Sequence, residues 1–178
     1  YNFIQGDILK SDFAFLDRND HRIVGNLPYN ISTQIILKLI NYFNQIEDMH
    51  FLIQREVAEK ITGSPGSKDW GKLGIKLSAF FQTEILFDVP PEAFDIKPKV
   101  TSSFIRMSPL TKSLVTDDEL KNFFEIVDLS FMSRRKNIKN NLKSMKLNWE
   151  SLQIDNQLRP EDLSLESYLK ITREIAKI

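Results

Sequence analysis

The tetrapeptide Asn26-Leu27-Pro28-Tyr29 combines groups that suit one chemical task. The amide oxygen of Asn26 and a nearby backbone carbonyl can each accept a hydrogen bond from the same exocyclic amine. Pro28 fixes the direction of that carbonyl because its ring locks φ. Tyr29 offers a flat face on which a base can stack. An isolated tetrapeptide of this type is more often a plain proline turn, so its meaning depends on the surrounding sequence.

The segments around this tetrapeptide alternate between strand and helix patterns. Apolar runs and turn residues predict strands over 1–5, 21–25 and 49–53, and helical periodicity predicts helices over 31–43 and 56–62. This alternation favours a parallel sheet with crossover helices. Ligands bind beyond the carboxyl ends of strands in such sheets. The tetrapeptide follows a predicted strand directly and therefore stands where a site is expected.

A proline-rich loop follows in the middle of the chain. The segment 73–89 predicts a helix followed by a strand, and 100–107 predicts a further strand. Pro90, Pro91 and Pro98 bracket a rigid loop between these two strands. An antiparallel hairpin at the edge of the sheet is the arrangement that we expect here.

The last third of the chain predicts helices only. Thr116 and Glu119 form a capping-box pair at the start of one helix, and another helix is predicted near 164–177. We therefore divide the chain into an α/β part, 1–110, and an α part, 111–178.

Between these two helices lies a basic segment, 134–146, which contains six basic residues and no acidic one. The six are Arg134, Arg135, Lys136, Lys139, Lys143 and Lys146. We expect a helix in which Arg135, Lys139, Lys143 and Lys146 form one stripe opposite a buried side made of Ile138, Leu142 and Met145. A stripe of one sign suits a phosphate backbone, although a solvated helix face is the ordinary explanation of a basic cluster.

Composition narrows the class of protein. The 178 residues carry 24 basic and 24 acidic side chains, and the net charge of zero argues weakly against nucleic-acid binding. The sequence has no cysteine, which excludes disulfides and thiolate metal sites. His21 and His50 lie far apart, without the spacing of metal ligands. We expect a cytoplasmic protein without a metal.

Several segments, in chain order, resemble the family of ribosomal RNA adenine-N6 methyltransferases. The tetrapeptide with Asn30-Ile31-Ser32 is similar to the amine-recognition motif of the family. Gln5-Gly6-Asp7 is similar to the strand end that holds the adenine amine of its cofactor. The other matching segments are Phe51-Leu52-Ile53-Gln54-Arg55-Glu56-Val57-Ala58, Trp70-Gly71-Lys72-Leu73, Val89-Pro90-Pro91-Glu92-Ala93-Phe94, Pro98-Lys99-Val100-Thr101-Ser102 and Arg134-Arg135-Lys136-Asn137-Ile138. The resemblance covers nearly the whole chain.

The resemblance implies a fold, a cofactor and a set of site residues. The implied fold is α/β, with a Rossmann-like class I methyltransferase sheet in 1–110 and a small all-α domain in 111–178 that binds RNA or the ribosome. The implied cofactor is S-adenosyl-L-methionine. The implied catalytic residues are Asn26, Leu27, Pro28, Tyr29 and Phe94. The implied cofactor-binding residues are Asp7, Ile8 and Asn26. The six basic residues of the basic segment are implied to bind RNA.

One part of the family pattern does not occur in this sequence. The family begins with a glycine-rich turn that cradles the methionine part of the cofactor, followed by an acidic residue that binds the ribose. The six glycines stand elsewhere, at Gly6, Gly25, Gly63, Gly66, Gly71 and Gly74. We therefore expect a sheet that is incomplete at its N-terminus, a chain that is part of a longer protein, and no activity for this chain alone.

The implied function is N6-dimethylation of two adjacent adenosines in a 3′-terminal hairpin of 16S ribosomal RNA, by a monomer that acts in small-subunit biogenesis. Two alternatives stay open. One is a related methyltransferase that modifies large-subunit ribosomal RNA and confers antibiotic resistance. The other is a ribosome-assembly factor that binds RNA without catalysis. The helical part after Ser113 favours the small-subunit enzyme.

Overall fold

The computed structural model describes residues 3–13, 15–16 and 20–176. The described strands are β1 (His21–Asn26), β2 (Ile46–Gln54), β3 (Phe81–Val89) and β4 (Ser102–Pro109). The described α-helices are α1 (Ser32–Leu39), α2 (Arg55–Thr62), α3 (Lys72–Ser78), α4 (Asp117–Ser130), α5 (Ile138–Asn141), α6 (Trp149–Leu152) and α7 (Leu165–Ile175). Short 3-10 helices cover Ile40–Gln45, Pro91–Ala93 and Pro160–Asp162.

The chain forms two compact units. The first unit runs up to Ala58 and resumes over Gln82–Leu110. The second unit comprises Glu59–Phe81 and the residues from Thr111 onward. The sequence assigned residues 59–81 to the α/β part, and the structure differs because α3 packs against α4. The functional assignment of 1–110 and 111–178 stays a prediction.

The first unit contains a four-stranded sheet in the order β1-β2-β4-β3. β1 and β2 run parallel, and α1 lies between them in the sequence. β4 runs antiparallel to β2. The predicted parallel pair with its crossover helix is present, and the two strands of the predicted hairpin, β3 and β4, are neighbours at one edge of the sheet.

The core of the first unit follows from two sequence periods. Ile35, Ile36 and Leu39 bury one face of α1, as the helical spacing predicts. In β2, Met49 and Phe51 are fully buried and recur at the two-residue period of a strand. Burial of each such side chain stabilises the folded state by roughly 1.5–3 kcal/mol. This packing holds the end of β1 against the rest of the unit.

The second unit is held by apolar helix faces and a few buried polar contacts. Phe123 and Val127 of α4 are fully buried, and α4 packs against α7. The Trp70 indole Nε1–H donates to the Leu163 carbonyl at 2.8 Å. The Tyr168 hydroxyl donates to the Pro160 carbonyl at 2.8 Å. Burial raises the pKa of that hydroxyl, so it stays a donor at any ordinary pH.

Of the two elements predicted at the chain ends, one differs from the structure and the other is observed. Phe3, Ile4 and Gln5 form no strand, because no strand of the described sheet pairs with them. The first two residues of that predicted strand, Tyr1 and Asn2, lie outside the described residues. The predicted last helix is observed, although Lys177 also lies outside the described part.

Helix length and hydropathy bear on membrane insertion. Within residues 3–13, 15–16 and 20–176, no helix is long and apolar enough to cross a membrane. Within the same residues, no group of three or more His, Cys, Asp or Glu side chains could hold a metal ion.

The start of α4 generates a prediction about acid stability. The Thr116 N–H donates to the Glu119 carboxylate at 3.0 Å, and Arg173 Nε lies 3.2 Å from the same carboxylate. These contacts hold the pKa of Glu119 below its ordinary value of 4.5. A lowered carboxyl pKa stabilises the fold above the unfolded-state pKa, and this contribution is lost as the pH falls through the folded-state pKa.

We therefore expect the free energy of unfolding of the wild-type protein to fall more steeply below pH 4.5 than that of Glu119→Gln, whose amide does not titrate. Urea unfolding between about pH 3 and 6 measures this difference. Glu150→Gln removes an exposed carboxylate from α6 and serves as the matched control. Equal slopes for Glu119→Gln and the wild type would contradict the prediction.

Candidate active site

The tetrapeptide Asn26–Tyr29 forms the turn between β1 and α1. β1 ends at Asn26, and the N–H of buried Leu27 donates to the Leu52 carbonyl at 3.1 Å. The Ile31 N–H then donates to the Pro28 carbonyl at 3.1 Å, and α1 begins at the next residue. The tetrapeptide thus lies at the carboxyl end of a sheet strand, where the sequence predicted it.

The Tyr29 ring is fixed by its hydroxyl. That hydroxyl and the Ser102 Oγ share a hydrogen bond of 2.6 Å. Ser102 is fully buried at the start of β4, so its position is set by the sheet. The Ser32 hydroxyl also donates to the Tyr29 carbonyl at 3.3 Å. Sequence reasoning did not assign a role to Ser102, although it lies in one of the matching segments.

Phe94 is positioned by a proline turn. Pro90 and Pro91 lead into the short 3-10 helix Pro91–Ala93. The Phe94 N–H donates to the Pro91 carbonyl at 3.2 Å, and the Ala93 N–H donates to the Pro90 carbonyl at 3.1 Å. The prolines restrict the backbone before Phe94 and leave its ring half-buried.

These elements line one cavity with a volume of about 490 Å³, which we call the target cavity. Its lining residues are Asn26, Leu27, Pro28, Tyr29, Phe94, Ile96, Lys97 and Pro98. The structure therefore brings together all five residues that the sequence predicted to be catalytic. It adds Ile96 and Lys97, which the sequence did not single out, because neither forms a motif by itself. The catalytic role of the five residues stays a prediction.

A second cavity, of about 400 Å³, lies along β1, and we call it the cofactor cavity. Its lining residues are Ile8, Phe13, Phe15, Leu16, Ile23, Val24, Gly25, Asn26, Leu27, Pro28, Ile35, Leu39 and Phe51. The predicted cofactor residues Ile8 and Asn26 thus share one cavity. Asp7 is not among the lining residues but precedes Ile8 directly. Asn26, Leu27 and Pro28 line both the target cavity and the cofactor cavity and form a shared wall between them.

The segment that carries Asp7 and Ile8 is held by α1. The Lys38 ammonium donates to the carbonyls of Ile8 at 3.2 Å and Leu9 at 2.9 Å. The Asp7 carboxylate accepts a hydrogen bond from the Leu9 N–H at 3.0 Å and is half-exposed. Lys38 therefore holds the segment that carries Asp7 and Ile8, a role that the sequence did not indicate because a lone lysine on a helix carries no signal.

The basic segment differs from its prediction. Only Ile138–Asn141 is helical, so the expected continuous basic helix is wrong. The reason is that asparagine side chains replace helical hydrogen bonds: the Asn137 side chain accepts from the Asn140 N–H at 3.0 Å, and the Asn141 amide donates to the Ser133 carbonyl at 3.1 Å. Asparagine favours such caps and turns over helix interiors.

The six basic side chains of the segment are all exposed. Ile138 and Leu142 are fully buried, whereas Met145 is half-buried. The charged side chains and the apolar anchors are therefore separated, even though no regular stripe exists. RNA binding by this segment stays a prediction.

Comparisons with known proteins agree with this arrangement. The family model for ribosomal RNA adenine dimethylase matches residues 1–177. The chain belongs to the ribosomal RNA adenine dimethylase family. Ribosomal RNA small subunit methyltransferase A of Neisseria gonorrhoeae is 40% identical over 174 residues, which cover 97% of this chain and 67% of that protein. The chain thus spans about two thirds of the length of this curated relative.

Two solved structures share the fold. A dimethyladenosine transferase from Plasmodium falciparum has a TM-score of 0.83 at 20% identity, and the match covers 98% of this chain and 72% of that one. The 23S rRNA methyltransferase ErmE has a TM-score of 0.65 at 22% identity, with coverages of 91% and 69%. The chain therefore has the Rossmann-like fold of the dimethylase family.

The contact between Tyr29 and Ser102 generates a stability prediction. Tyr29→Phe keeps the ring but leaves a fully buried serine hydroxyl without its partner. Such a loss costs about 1–3 kcal/mol, whereas removal of both partners is close to neutral. We expect Tyr29→Phe to lower the free energy of unfolding by about that amount. We expect the double variant Tyr29→Phe/Ser102→Ala to recover most of the loss.

Chemical denaturation of the wild type, both single variants and the double variant gives the coupling energy. Additive losses in the double variant would mean that the hydrogen bond does not fix the ring.

Proposed function

We propose that the protein uses S-adenosyl-L-methionine to dimethylate N6 of two adjacent adenosines in a 3′-terminal hairpin of 16S ribosomal RNA. The observation that carries the proposal is the shared wall. Its residues, Asn26, Leu27 and Pro28, belong to the amine-recognition motif and lie between the target cavity, which would hold the base, and the apolar cofactor cavity along β1. Family membership and the name of the curated relatives support the substrate. The reaction would take place in the cytoplasm, during assembly of the small subunit, with the protein as a monomer.

Asn26 and Pro28 would recognise the adenine amine. The Asn26 side chain is exposed at the end of β1, so its amide oxygen is free to accept one N–H of the amine. The Pro28 carbonyl already accepts from the Ile31 N–H, but a carbonyl oxygen has a second lone pair for the other N–H. These two contacts draw electron density toward N6, whose lone pair is otherwise delocalised into the ring. No strong base is needed before attack, since the proton leaves an already cationic product.

Tyr29 and Phe94 would hold the target base between their rings. A base must leave its stack before an enzyme can act on its amine. Each aromatic ring that stacks on such a base contributes about 1–3 kcal/mol. The Ser102 contact fixes the Tyr29 ring, and the proline turn before Phe94 restricts the opposite side. Positioning of the base and electrostatic stabilisation of the reacting amine then supply most of the acceleration of methyl transfer.

The cofactor cavity fits the adenine half of S-adenosyl-L-methionine. Its lining is mostly apolar, and a Cβ at Gly25 would lie 3.2 Å from the Leu27 side chain and narrow the cavity. Ile8 would contact the adenine ring of the cofactor, and the Asp7 carboxylate would accept a hydrogen bond from the amine of that ring. Asn26 would lie next to the methyl group. The cofactor supplies an electrophilic methyl on a sulfonium ion. The chain's own contribution is to keep Asn26, at the shared wall, beside both ligands.

The second unit would dock the substrate through the basic segment. Six exposed cations lie over two buried anchors, Ile138 and Leu142. Phosphate contacts from such a segment position a protein on RNA without reading its sequence. We therefore assign 111–178 to RNA and ribosome binding, and 1–110 to the methyltransferase part. Action on large-subunit RNA is disfavoured, because the curated relative that carries the small-subunit name is 40% identical, whereas ErmE is 22% identical.

The amine-recognition proposal is tested by Asn26→Ala in the full-length gene product. We expect methyl transfer at saturating cofactor to fall by roughly 100-fold or more, which is typical when one preorganised polar group is removed. RNA affinity should change little, because the contact strengthens as the amine becomes reactive. Asn41→Ala, an exposed asparagine outside the motif, is the matched control.

Rates and affinities are measured in parallel on assembled small subunits. Equal losses of rate and affinity would show that Asn26 contributes ordinary binding. Unchanged rates in Asn26→Ala would show that Asn26 does not recognise the reacting amine. RNA binding without methyl transfer by the wild-type protein would favour the non-catalytic assembly factor.

The docking proposal is tested by the triple variant Arg135→Gln, Lys139→Gln and Lys143→Gln. Each lost phosphate contact should flatten the slope of log affinity against log salt by about one. The control variant replaces Lys112, Lys121 and Lys170, which are also exposed residues of the second unit, by glutamine. A slope that changes equally in both triple variants would mean that the segment contributes only general charge. Circular dichroism confirms that both variants stay folded.

A further inference from the structure

The loop after Phe94 presents an apolar side chain at the mouth of the target cavity. Ile96 is 92% exposed and lines the cavity together with Asn26, Tyr29 and Phe94. Single exposed apolar residues are common on protein surfaces and carry no meaning alone. The position of Ile96 distinguishes it, since it stands beside two aromatic rings that can hold an extruded base.

The loop that carries Ile96 is anchored on both sides. The proline turn precedes it, and Pro98 follows two residues later and lines the same cavity. Lys97, also exposed, lines the cavity next to Ile96. An apolar tip next to a cation suits a nucleic-acid strand, because the side chain can enter the stack while the ammonium contacts a phosphate. Proteins that unstack bases use Ile, Leu, Met or Phe in this way.

We infer that Ile96 is a wedge that enters the base stack of the substrate RNA and fills the space left by the adenosine that moves into the target cavity. The inference rests on the proposed function. It assigns Ile96 a positioning role: the side chain does not touch the reacting atoms but favours the extruded state of the base. Extrusion costs the stacking of the target base, and a side chain that occupies the gap prevents the base from returning.

The test uses a fluorescent neighbour of the target. An RNA hairpin carries two adjacent adenosines, and 2-aminopurine replaces the purine that stacks on the target adenosine. A stacked purine quenches the fluorescence of 2-aminopurine, whereas an aliphatic side chain does not. The fluorescence therefore rises when the target adenosine leaves the base stack and Ile96 takes its place. The readout needs neither cofactor nor methyl transfer. The RNA affinity of the chain is measured in the same titration.

We expect Ile96→Ala to reduce the fluorescence rise at saturating protein to less than about a third of the wild-type value, because alanine is too short to fill a base step. Ile96→Leu should retain most of the rise. Affinity for an unstructured RNA strand should stay within about twofold, since such a strand has little stacking to break. Val100→Ala is the matched control: Val100 lies in the same loop, is 41% exposed and does not line the target cavity.

Two outcomes overturn the wedge while the proposed function stands. One is an equal rise in Ile96→Ala and the wild type. The other is an equal loss in Ile96→Ala and Val100→Ala, which would reflect the loop as a whole. A wild-type protein that binds the hairpin without any rise would overturn the wedge together with base extrusion, and hence the proposed function as well.

Discussion

The end of β1 is the constraint on which the candidate site depends. The hydrogen bond from Leu27 N–H to the Leu52 carbonyl extends the contact between the strands by one residue and places the Leu27 side chain in the core. The bond from Ile31 N–H to the Pro28 carbonyl then closes the turn into α1. Asn26 and Tyr29, on the two sides of a buried leucine, are thus positioned by the backbone. A shift of this turn would move both residues together and would break the Tyr29–Ser102 contact.

Local signals in the sequence predicted where the tetrapeptide and Phe94 lie, but not the residues that support them. The tetrapeptide and the prolines before Phe94 have strong backbone preferences, so their positions follow from the chain alone. Lys38 and Ser102 act on residues 29 and 73 positions away in the sequence, respectively, through hydrogen bonds that no local pattern encodes. Ile96 carries no motif either, and only the tertiary structure brings it beside Tyr29.

The structure differs from the sequence-based expectations in three places, for one local reason and two tertiary ones. The periodicity of the basic segment is helical, but the Asn137 side chain caps a helix that begins only at Ile138, and the Asn141 amide donates to the Ser133 carbonyl in the turn before it. The apolar run at Phe3–Gln5 has strand composition, yet a strand requires a partner, and the described sheet offers none to it. Residues 59–81 follow the α/β pattern in sequence, whereas the packing of α3 on α4 assigns them to the second unit. Periodicity predicts which face of an element is buried, and it does not predict which element covers that face.

The shared wall has a consequence for how this site can change during evolution. Asn26, Leu27 and Pro28 line both cavities, so any replacement there changes the shape of both cavities at once. A change of one cavity alone is therefore easier at residues that line only that cavity. Phe94 lies on the target side alone and Ile8 on the cofactor side alone. Each cavity can therefore change independently at those two positions, whereas every residue of the shared wall must fit both cavities.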